Sequence, residues 1–406
     1  MDLTNLKQNQ AKLVSYMENT GYSKSYIHSV KVEINRILSY EKDNPWKSYL
    51  DIYRDYESAL PSKQSLICKA TLIGMIEHFD MAGLYPNGRR RHSLWERNIY
   101  SQLHSEFKIL VDYYENSMLK TSKKTLQGNM SALSNFLYAL QEMGCKCLIE
   151  VSENHILQFF TDDNKKAPCK SAGYKNVILK TLKQCALYSD ECMRIASFLP
   201  PMHNRRKNIQ YITNDEVVML RACADNGLIT LRDKAILFLL LYTGIRACDI
   251  AGLSFSSLDW SYDRIHIVQQ KTTVPVELPL SPLVGNAIYD YITEERPDKN
   301  DKHIFLSKRT PHLPLTAGGI ISLINIVMDR AQIRQNPEDR KGSHVFRHRA
   351  ATSMLEKGVS IPVISHVLGH TTPDSLDTYL HADFAHLKEC SIGIDEYPVN
   401  EEVFAL

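Results

Sequence analysis

Leu231-Arg-Asp-Lys-Ala-Ile-Leu-Phe-Leu-Leu-Leu-Tyr-Thr243-Gly244-Ile245-Arg246-Ala-Cys-Asp249 is the stretch on which the reading of the chain turns. From Leu231 to Thr243 apolar side chains fall on every face, the pattern of a helix at the centre of a core. Gly244 ends that helix, because glycine takes left-handed C-terminal geometry at little steric cost. A new helix carrying Arg246 and Asp249 begins at once. Three residues apart, the two share a face, and the carboxylate most simply pairs with the guanidinium. Just upstream, Thr213-Asn-Asp-Glu216 forms a capping box ahead of Val217-Val-Met-Leu220, which opens the same segment with a helix.

Downstream, Arg264-Ile-His-Ile-Val-Gln-Gln270 and Val274-Pro-Val-Glu-Leu-Pro-Leu280 predict a β-hairpin with Lys271 at its turn. The prolines assign the second strand to an edge, where a missing N–H breaks no ladder. From Gly342 onward boundary signals crowd together. Ser343 is placed to cap a helix running to Lys357 with Gly358 at its end. Ser360 is placed to cap another, with Pro362 in its first turn, ending at Gly369. Thr372-Pro373-Asp374 opens a third that carries Tyr379. The fold class expected is mainly α, with a small β-hairpin or sheet. Three short helices bring His344, Arg347, His370 and Tyr379 near their ends, and His344 and Arg347 fall in a first helical turn, where an anion is favoured.

The residue types point to a chemistry. Two arginines offer rigid forks of donors that match a phosphate, two histidines hold or move protons near neutral pH, and a phenol is a competent nucleophile. Together they suit phosphoryl transfer through a phosphotyrosine. A metal reading competes, since His344-x-x-x-His348 and His366-x-x-x-His370 each set two imidazoles one helical turn apart. Neither has the Glu that a zinc hydrolase places after its first His, so no metal and no cofactor are expected.

Taken in order, Tyr242-Thr-Gly-Ile-Arg246, Lys271, His344-Val-Phe-Arg347-His348, Leu368-Gly-His370 and Tyr379-Leu-His381 resemble the tyrosine recombinase (phage integrase) family over residues 211 to 385. The likeness extends more weakly over residues 100 to 200, which look like the helical core-binding domain of that family. It implies a site-specific DNA recombinase or integrase that cuts and rejoins strands through a 3′-phosphotyrosyl intermediate, for integration, excision or inversion. It also implies the roles. Tyr379 is the nucleophile, Arg246 and Arg347 clamp the phosphate, and Lys271 protonates the leaving 5′-oxygen. His344 assists proton transfer, His370 bonds the phosphate, and Asp249 and His348 support the site. Two departures stand out. Gln-Gln-Lys271-Thr-Thr-Val lacks the glycine that often follows in relatives, which leaves Lys308 as a fallback for the lysine, and Asp249 stands where a Glu is common. A type IB topoisomerase-like enzyme and a catalytically silent DNA-binding regulator are the neighbouring readings.

Length and composition set the frame. With 406 residues and 44% hydrophobic content, the chain has material for several cores. Leu84-Tyr-Pro-Asn-Gly-Arg-Arg-Arg-His-Ser93 and Leu199-Pro-Pro-Met-His-Asn-Arg-Arg-Lys-Asn208 read as linkers. They divide the chain into an N-terminal helical domain of open role (1–90), a helical DNA-binding domain (95–200), a catalytic domain (210–385) and a tail (386–406) that docks on a neighbouring protomer or on its own domain. Leu13-Val-Ser-Tyr-Met-Glu-Asn19 echoes Leu110-Val-Asp-Tyr-Tyr-Glu-Asn116, which raises a duplicated helical module beside chance likeness of amphipathic helices. A net charge of +2 is nearly neutral, so a nucleic-acid reading rests on where the charge sits. Arg89, Arg90 and Arg91 form one cluster and Arg205, Arg206 and Lys207 another, both at linkers where a clamp around a duplex meets phosphates. A third gathers Arg330, Arg334, Arg340, Lys341, Arg347 and Arg349.

The partners implied are double-stranded DNA and three further copies, a dimer on each site and a tetramer on the recombining pair, with accessory DNA-bending or directionality proteins. Nine scattered cysteines, with Cys145-Lys-Cys147 the one close pair, fit reduced thiols. No apolar run approaches the roughly 18 residues of a membrane span, and the first residues show no secretory h-region. The expected location is cytoplasmic.

Overall fold

The computed structural model describes residues 3–39, 46–59, 62–88, 99–162, 167–168, 170–202 and 210–369. The chain divides into two compact units. One gathers residues 1–13, 28–85 and 90–207, and the other residues 14–27, 86–89 and 208–406.

In the first unit lie most of α1 (Thr4–Asn19) and α2 (Lys24–Ser39), then α3 (Tyr49–Ala59) and α4 (Lys63–Ala82). Two buried acids organise these helices. Asp80 accepts from the Leu6 N–H at 2.8 Å and from the Tyr49 hydroxyl at 2.8 Å. Glu33 accepts from Lys69 at 2.8 Å, Tyr56 at 2.7 Å and Arg36 at 3.1 Å, so each carboxylate is compensated, as burial demands. The turn between α1 and α2 groups with the second unit, where Thr310 Oγ1 donates to the Gly21 carbonyl at 3.3 Å.

The first unit also contains α5 (Ile99–Gln102), α6 (Ser105–Ser117), α7 (Lys123–Glu142), α8 (Glu153–Phe160), a minimal antiparallel pair β1 (Thr161–Asp162) and β2 (Ala167–Pro168), α9 (Ala172–Cys185) and α10 (Glu191–Ser197). Phe107, Leu110, Tyr114, Phe136, Leu137 and Leu182 form its core. The likeness between the two Leu-Val segments holds for one helix in structure. Leu13 and Met17 of α1 are buried at the spacing of Leu110 and Tyr114 of α6, as any two amphipathic helices of this period would be. Cys145 is buried with its Sγ 3.3 Å from His155 Nδ1, and all described cysteines are free thiols.

The second unit is built around α12 (Leu231–Thr243), whose residues 235–241 are all buried. Helix α11 (Asn214–Asp225) is opened by the expected capping box: Thr213 N–H donates to Glu216 Oε2 at 2.8 Å, and Glu216 N–H to Thr213 Oγ1 at 3.2 Å. Helix α12 ends at Gly244, φ +63°, where an added Cβ would lie 2.7 Å from Ala350 Cβ. The short α13 (Ala247–Ala251) follows. Next come β3 (Leu258–Asp259), β4 (Arg264–Val268) and β5 (Pro275–Pro279), an antiparallel sheet in that order. Arg264 pairs with Pro279 and Val268 with Pro275, which sets the proline-bearing strand at the edge as its missing donors require. Around α12 pack α14 (Pro282–Asp290), which runs into a π-turn at Tyr291–Glu295, α15 (Ala317–Arg330) and α16 (His344–Glu356). Helix α17 (Ile361–Leu368) closes on α16 and β5 and ends at Gly369, φ +61°.

The capping expectation fails at two helices. Ser343 has helical backbone geometry and its side chain caps nothing, so α16 starts without a side-chain cap. Ser360 has extended geometry but makes no side-chain cap bond either. Among the described residues no helix is long and apolar enough to cross a membrane.

Truncating Leu240 should destabilise the protein by about 2–5 kcal/mol, the usual cost of a Leu→Ala cavity in a collapsed core. Thermal melting of Leu240→Ala checks this, and an unchanged midpoint would mean that α12 is not the central helix.

Candidate active site

The turn after α12 places the first arginine. Gly244 reverses the chain, and the Arg246 carbonyl then accepts from the Asp249 and Ile250 N–H groups, both at 3.0 Å. Held at the start of α13, Arg246 sends its guanidinium to Gln269 Oε1 and to the Gly369 carbonyl, the latter at 3.4 Å. Arg347, one turn into α16 and 5% exposed, donates to the Gly244 carbonyl at 3.2 Å and to the Leu368 carbonyl. The same Leu368 carbonyl accepts from Gln269 Nε2 at 3.0 Å. Both guanidiniums are thus tied to the C-terminal end of α17, and Arg347 is tied besides to the turn that carries Arg246.

The hairpin supplies the lysine. Gln269 N–H donates to the Val274 carbonyl at 3.0 Å and Thr273 N–H to the Gln269 carbonyl at 2.8 Å, closing a turn with Lys271 exposed at its tip. Thr273 sits at φ +56°, the left-handed conformation that a glycine would take without strain. The fallback lysine is engaged elsewhere, since Lys308 forms an ion pair with Glu295 at 2.7 Å.

His344 heads α16. Burial of its ring, followed by the positive charges of Arg347, Lys271, Arg340 and Arg246, holds it below the ordinary imidazole range. Arg246, Lys271 and Arg347 thus lie near enough to His344 to act on its charge, and its surroundings are electropositive. A neutral imidazole there is able to accept a proton. His348, one turn further on, is pushed down to about 4 by burial first and then by His344, Arg340 and Arg347.

Asp249 does not pair with Arg246. Its carboxylate, 4% exposed, accepts from the Gln270 N–H at 2.8 Å and from the Cys248 thiol at 3.6 Å, so it anchors the hairpin rather than the guanidinium. The third basic cluster is likewise mostly structural. Arg334 meets Glu216 at 3.1 Å, Arg330 donates to the Leu228 carbonyl at 2.9 Å, and Lys341 pairs with Asp329 at 2.5 Å. Arg349 holds the Ile212 carbonyl at 2.9 Å and Asn214 at 2.8 Å. Among the described residues no three His, Cys, Asp or Glu side chains converge as metal ligands do. His370, Tyr379, Arg89, Arg90, Arg91, Arg205, Arg206, Lys207 and the tail from 386 lie outside the described residues.

One residue escapes the sequence reading. Gln269 is 2% exposed and touches Arg246, Leu368 and Thr272. Its signal is present at the end of β4: Ile265, Ile267 and, just past the strand, Gln269 follow the inward period of two, so an amide occupies an interior position.

A family model described as "Phage integrase family" matches residues 210–386. "Putative integrase/recombinase y4gC" of Sinorhizobium fredii is 32% identical over 177 residues, 44% of this chain and 90% of that protein. "Tyrosine recombinase XerC" of Listeria welshimeri is 31% identical over 171 residues, 40% of this chain and 54% of that relative, so the chain spans about half the length of this XerC. Among solved structures, lambda integrase (residues 75–356) bound to DNA covers 66% of this chain and 92% of its own at 18% identity, with a TM-score of 0.51. A lambda integrase dimer bound to a COC′ core site covers 71% and 82% at 19% identity, with a TM-score of 0.52. At these identities the structural likeness is one of fold.

The depressed His348 carries a pH signature. The unfolded chain takes up that proton near the ordinary value of about 6.5, whereas the folded chain resists it until about 4. Between those values the unfolded state binds more protons, so stability is present above the window and falls as pH drops through it. His348→Gln should flatten that fall in a plot of melting midpoint against pH. Parallel curves for the two proteins would show that His348 titrates normally.

Proposed function

The chain belongs to the phage integrase family of tyrosine recombinases, and from that membership we propose that it performs site-specific strand exchange on DNA through Tyr379. The observation that carries the reading is the tethering of Arg347 to the Leu368 carbonyl and of Arg246 to the adjacent Gly369 carbonyl, just before His370. Two guanidiniums held near each other beside a neutral-tending histidine suit one phosphodiester.

The Tyr379 oxygen attacks the phosphorus in line, forming a 3′-phosphotyrosyl bond while the bond to the 5′-oxygen breaks. The phenol proton passes toward His344, whose lowered proton affinity leaves it free to accept. Lys271 gives a proton to the departing 5′-oxygen. Arg246, Arg347 and His370 stabilise the charge on the non-bridging oxygens as it builds, in the manner of donors prearranged for a transition state. The free 5′-hydroxyl of a partner duplex reverses the step and reseals the strand, so the bond energy is conserved. His348 and Asp249 support the site from behind, the latter by fixing the hairpin at Gln270.

Four strand cuts call for four active sites, hence a dimer on each double-stranded site and a homotetramer on the pair. Residues 95–200 and 210–385 each bind the duplex, and Arg205, Arg206, Lys207, Arg89, Arg90 and Arg91 meet its phosphates. Residues 1–90 meet additional DNA or another protomer, and residues 386–406 dock on a neighbour. The protein acts on cytoplasmic DNA, in integration, excision or inversion of a mobile element, with accessory DNA-bending proteins setting direction.

Nicked suicide duplexes built from the DNA flanking the gene test the reading. The wild type should form a covalent adduct stable on a denaturing gel, and Tyr379→Phe should bind equally but form none. Cleavage by that variant would remove Tyr379 as nucleophile. Strand resealing without exchange between two duplexes would make the enzyme topoisomerase-like. Arg347→Ala should slow adduct formation by about 100-fold or more, the usual loss for a donor aimed at developing charge. Wild-type rates there would reduce Arg347 to a structural cation.

A further inference from the structure

Gln269, buried at the turn that follows β4, makes more connections than a turn residue needs. Its Oε1 accepts from Arg246 and, at 2.9 Å, from Thr272 Oγ1. Its Nε2 donates at 3.0 Å to the Leu368 carbonyl, which also accepts from Arg347. Its backbone closes the turn that presents Lys271. The fit is tight, since a Cβ on Gly369 would lie 2.4 Å from Gln269 Oε1.

We propose that Gln269 is a positioning residue for the strand-transfer reaction, holding Arg246 through its carbonyl oxygen and the Arg347 tether through its amide nitrogen, so that the two guanidiniums keep one geometry toward the phosphate. The inference rests on the recombinase reading above. A primary amide has the means that this place requires, because it carries an acceptor and a donor on one rigid plane. Glutamate presents two acceptors, and its second oxygen would face the Leu368 carbonyl without a proton. Leucine fills similar volume and offers neither group. With either replacement Arg246 or α17 loses its fixed partner. Displacement of catalytic groups by about 1 Å is enough to cost about 100-fold in rate.

The experiment uses the full chain on nicked duplexes, with the wild type and Tyr379→Phe as the positive and negative limits. Gln269→Leu and Gln269→Glu should melt and bind DNA like the wild type but form the adduct about 100-fold more slowly in a single turnover. If the leucine variant melts early, the glutamate variant carries the comparison, since it preserves shape and the acceptor to Arg246. A second substrate, with sulfur in place of the bridging 5′-oxygen, separates the residue's two attachments. A thiolate departs without a proton, so this substrate should restore Lys271→Ala while the Gln269 variants remain slow. Rates within about 3-fold of wild type for Gln269→Glu would overturn the proposal. So would sulfur rescue of the Gln269 variants to the extent seen for Lys271→Ala, because the residue would then serve the hairpin alone. Absence of adduct from the wild type, on duplexes it binds tightly, overturns the recombinase reading and this inference with it. The wild-type lane therefore tells the two failures apart.

Discussion

Keeping two guanidinium groups close together is the constraint around which the second unit is arranged. Like charges repel by roughly 4 kcal/mol at 4 Å in an effective dielectric of 20, so neither arginine would stay without fixed acceptors behind it. Those acceptors come from three separate parts of the chain: the Gly244 carbonyl at the end of α12, the Leu368 and Gly369 carbonyls at the end of α17, and the Gln269 amide in the hairpin. A carbonyl at a helix C-terminus has no partner within its helix and is free to accept. Helix ends are therefore economical supports for arginines, and both α12 and α17 end in left-handed glycines that turn the chain away and leave those carbonyls accessible.

This arrangement links the core to the chemistry. Helix α12 is buried on all sides, so Gly244 has little room to shift: Ala350 of α16 lies against the place where its Cβ would be. Arg347 sits on that same helix one turn earlier and reaches back to the Gly244 carbonyl. The turn that bears Arg246 and the helix that bears Arg347 are in this way packed and hydrogen-bonded as one piece. Cavities in this core would be felt at the site before they unfolded the chain.

Much of this was legible because the decisive signals are local. The apolar helix, its glycine stop, the Thr213 capping box and the proline-marked edge strand each follow from a few adjacent residues. Arg246, Lys271, His344 and Arg347 were likewise visible as a set, and the structure gathers them in one place. What the residues could not reveal was partner choice across the fold. Asp249 stands on the short helix that follows Arg246, yet its carboxylate turns to the Gln270 amide, because the hairpin brings that backbone donor within reach and spacing along a helix says nothing of it. Ser343 looked like a cap from its place before His344, but its backbone is already helical and its side chain makes no cap bond. Gln269 was readable as an inward position just past β4, although only contact with Arg246 and the end of α17 gives that position a purpose.

The choice of neutral acceptors has an electrostatic consequence. Had Asp249 paired with Arg246, or had a glutamate stood at 269, one carboxylate would have cancelled one cation and weakened the field toward an anion. Instead the acceptors described for Arg246 and Arg347 are carbonyl and carboxamide oxygens, which fix direction and bring no negative charge of their own. Burial first, and the neighbouring positive charges after it, depress His344 and His348, so the histidines tend to the neutral state at the pH where the arginines are fully charged. A site of this kind is held under electrostatic tension that a phosphodiester relieves on entering, and the relief is greatest where negative charge increases, on the non-bridging oxygens of a five-coordinate phosphorus. An amide at position 269 thus supports Arg246 without cancelling its charge as a carboxylate would, which is a physical reason for an amide, rather than an acid, to stand there.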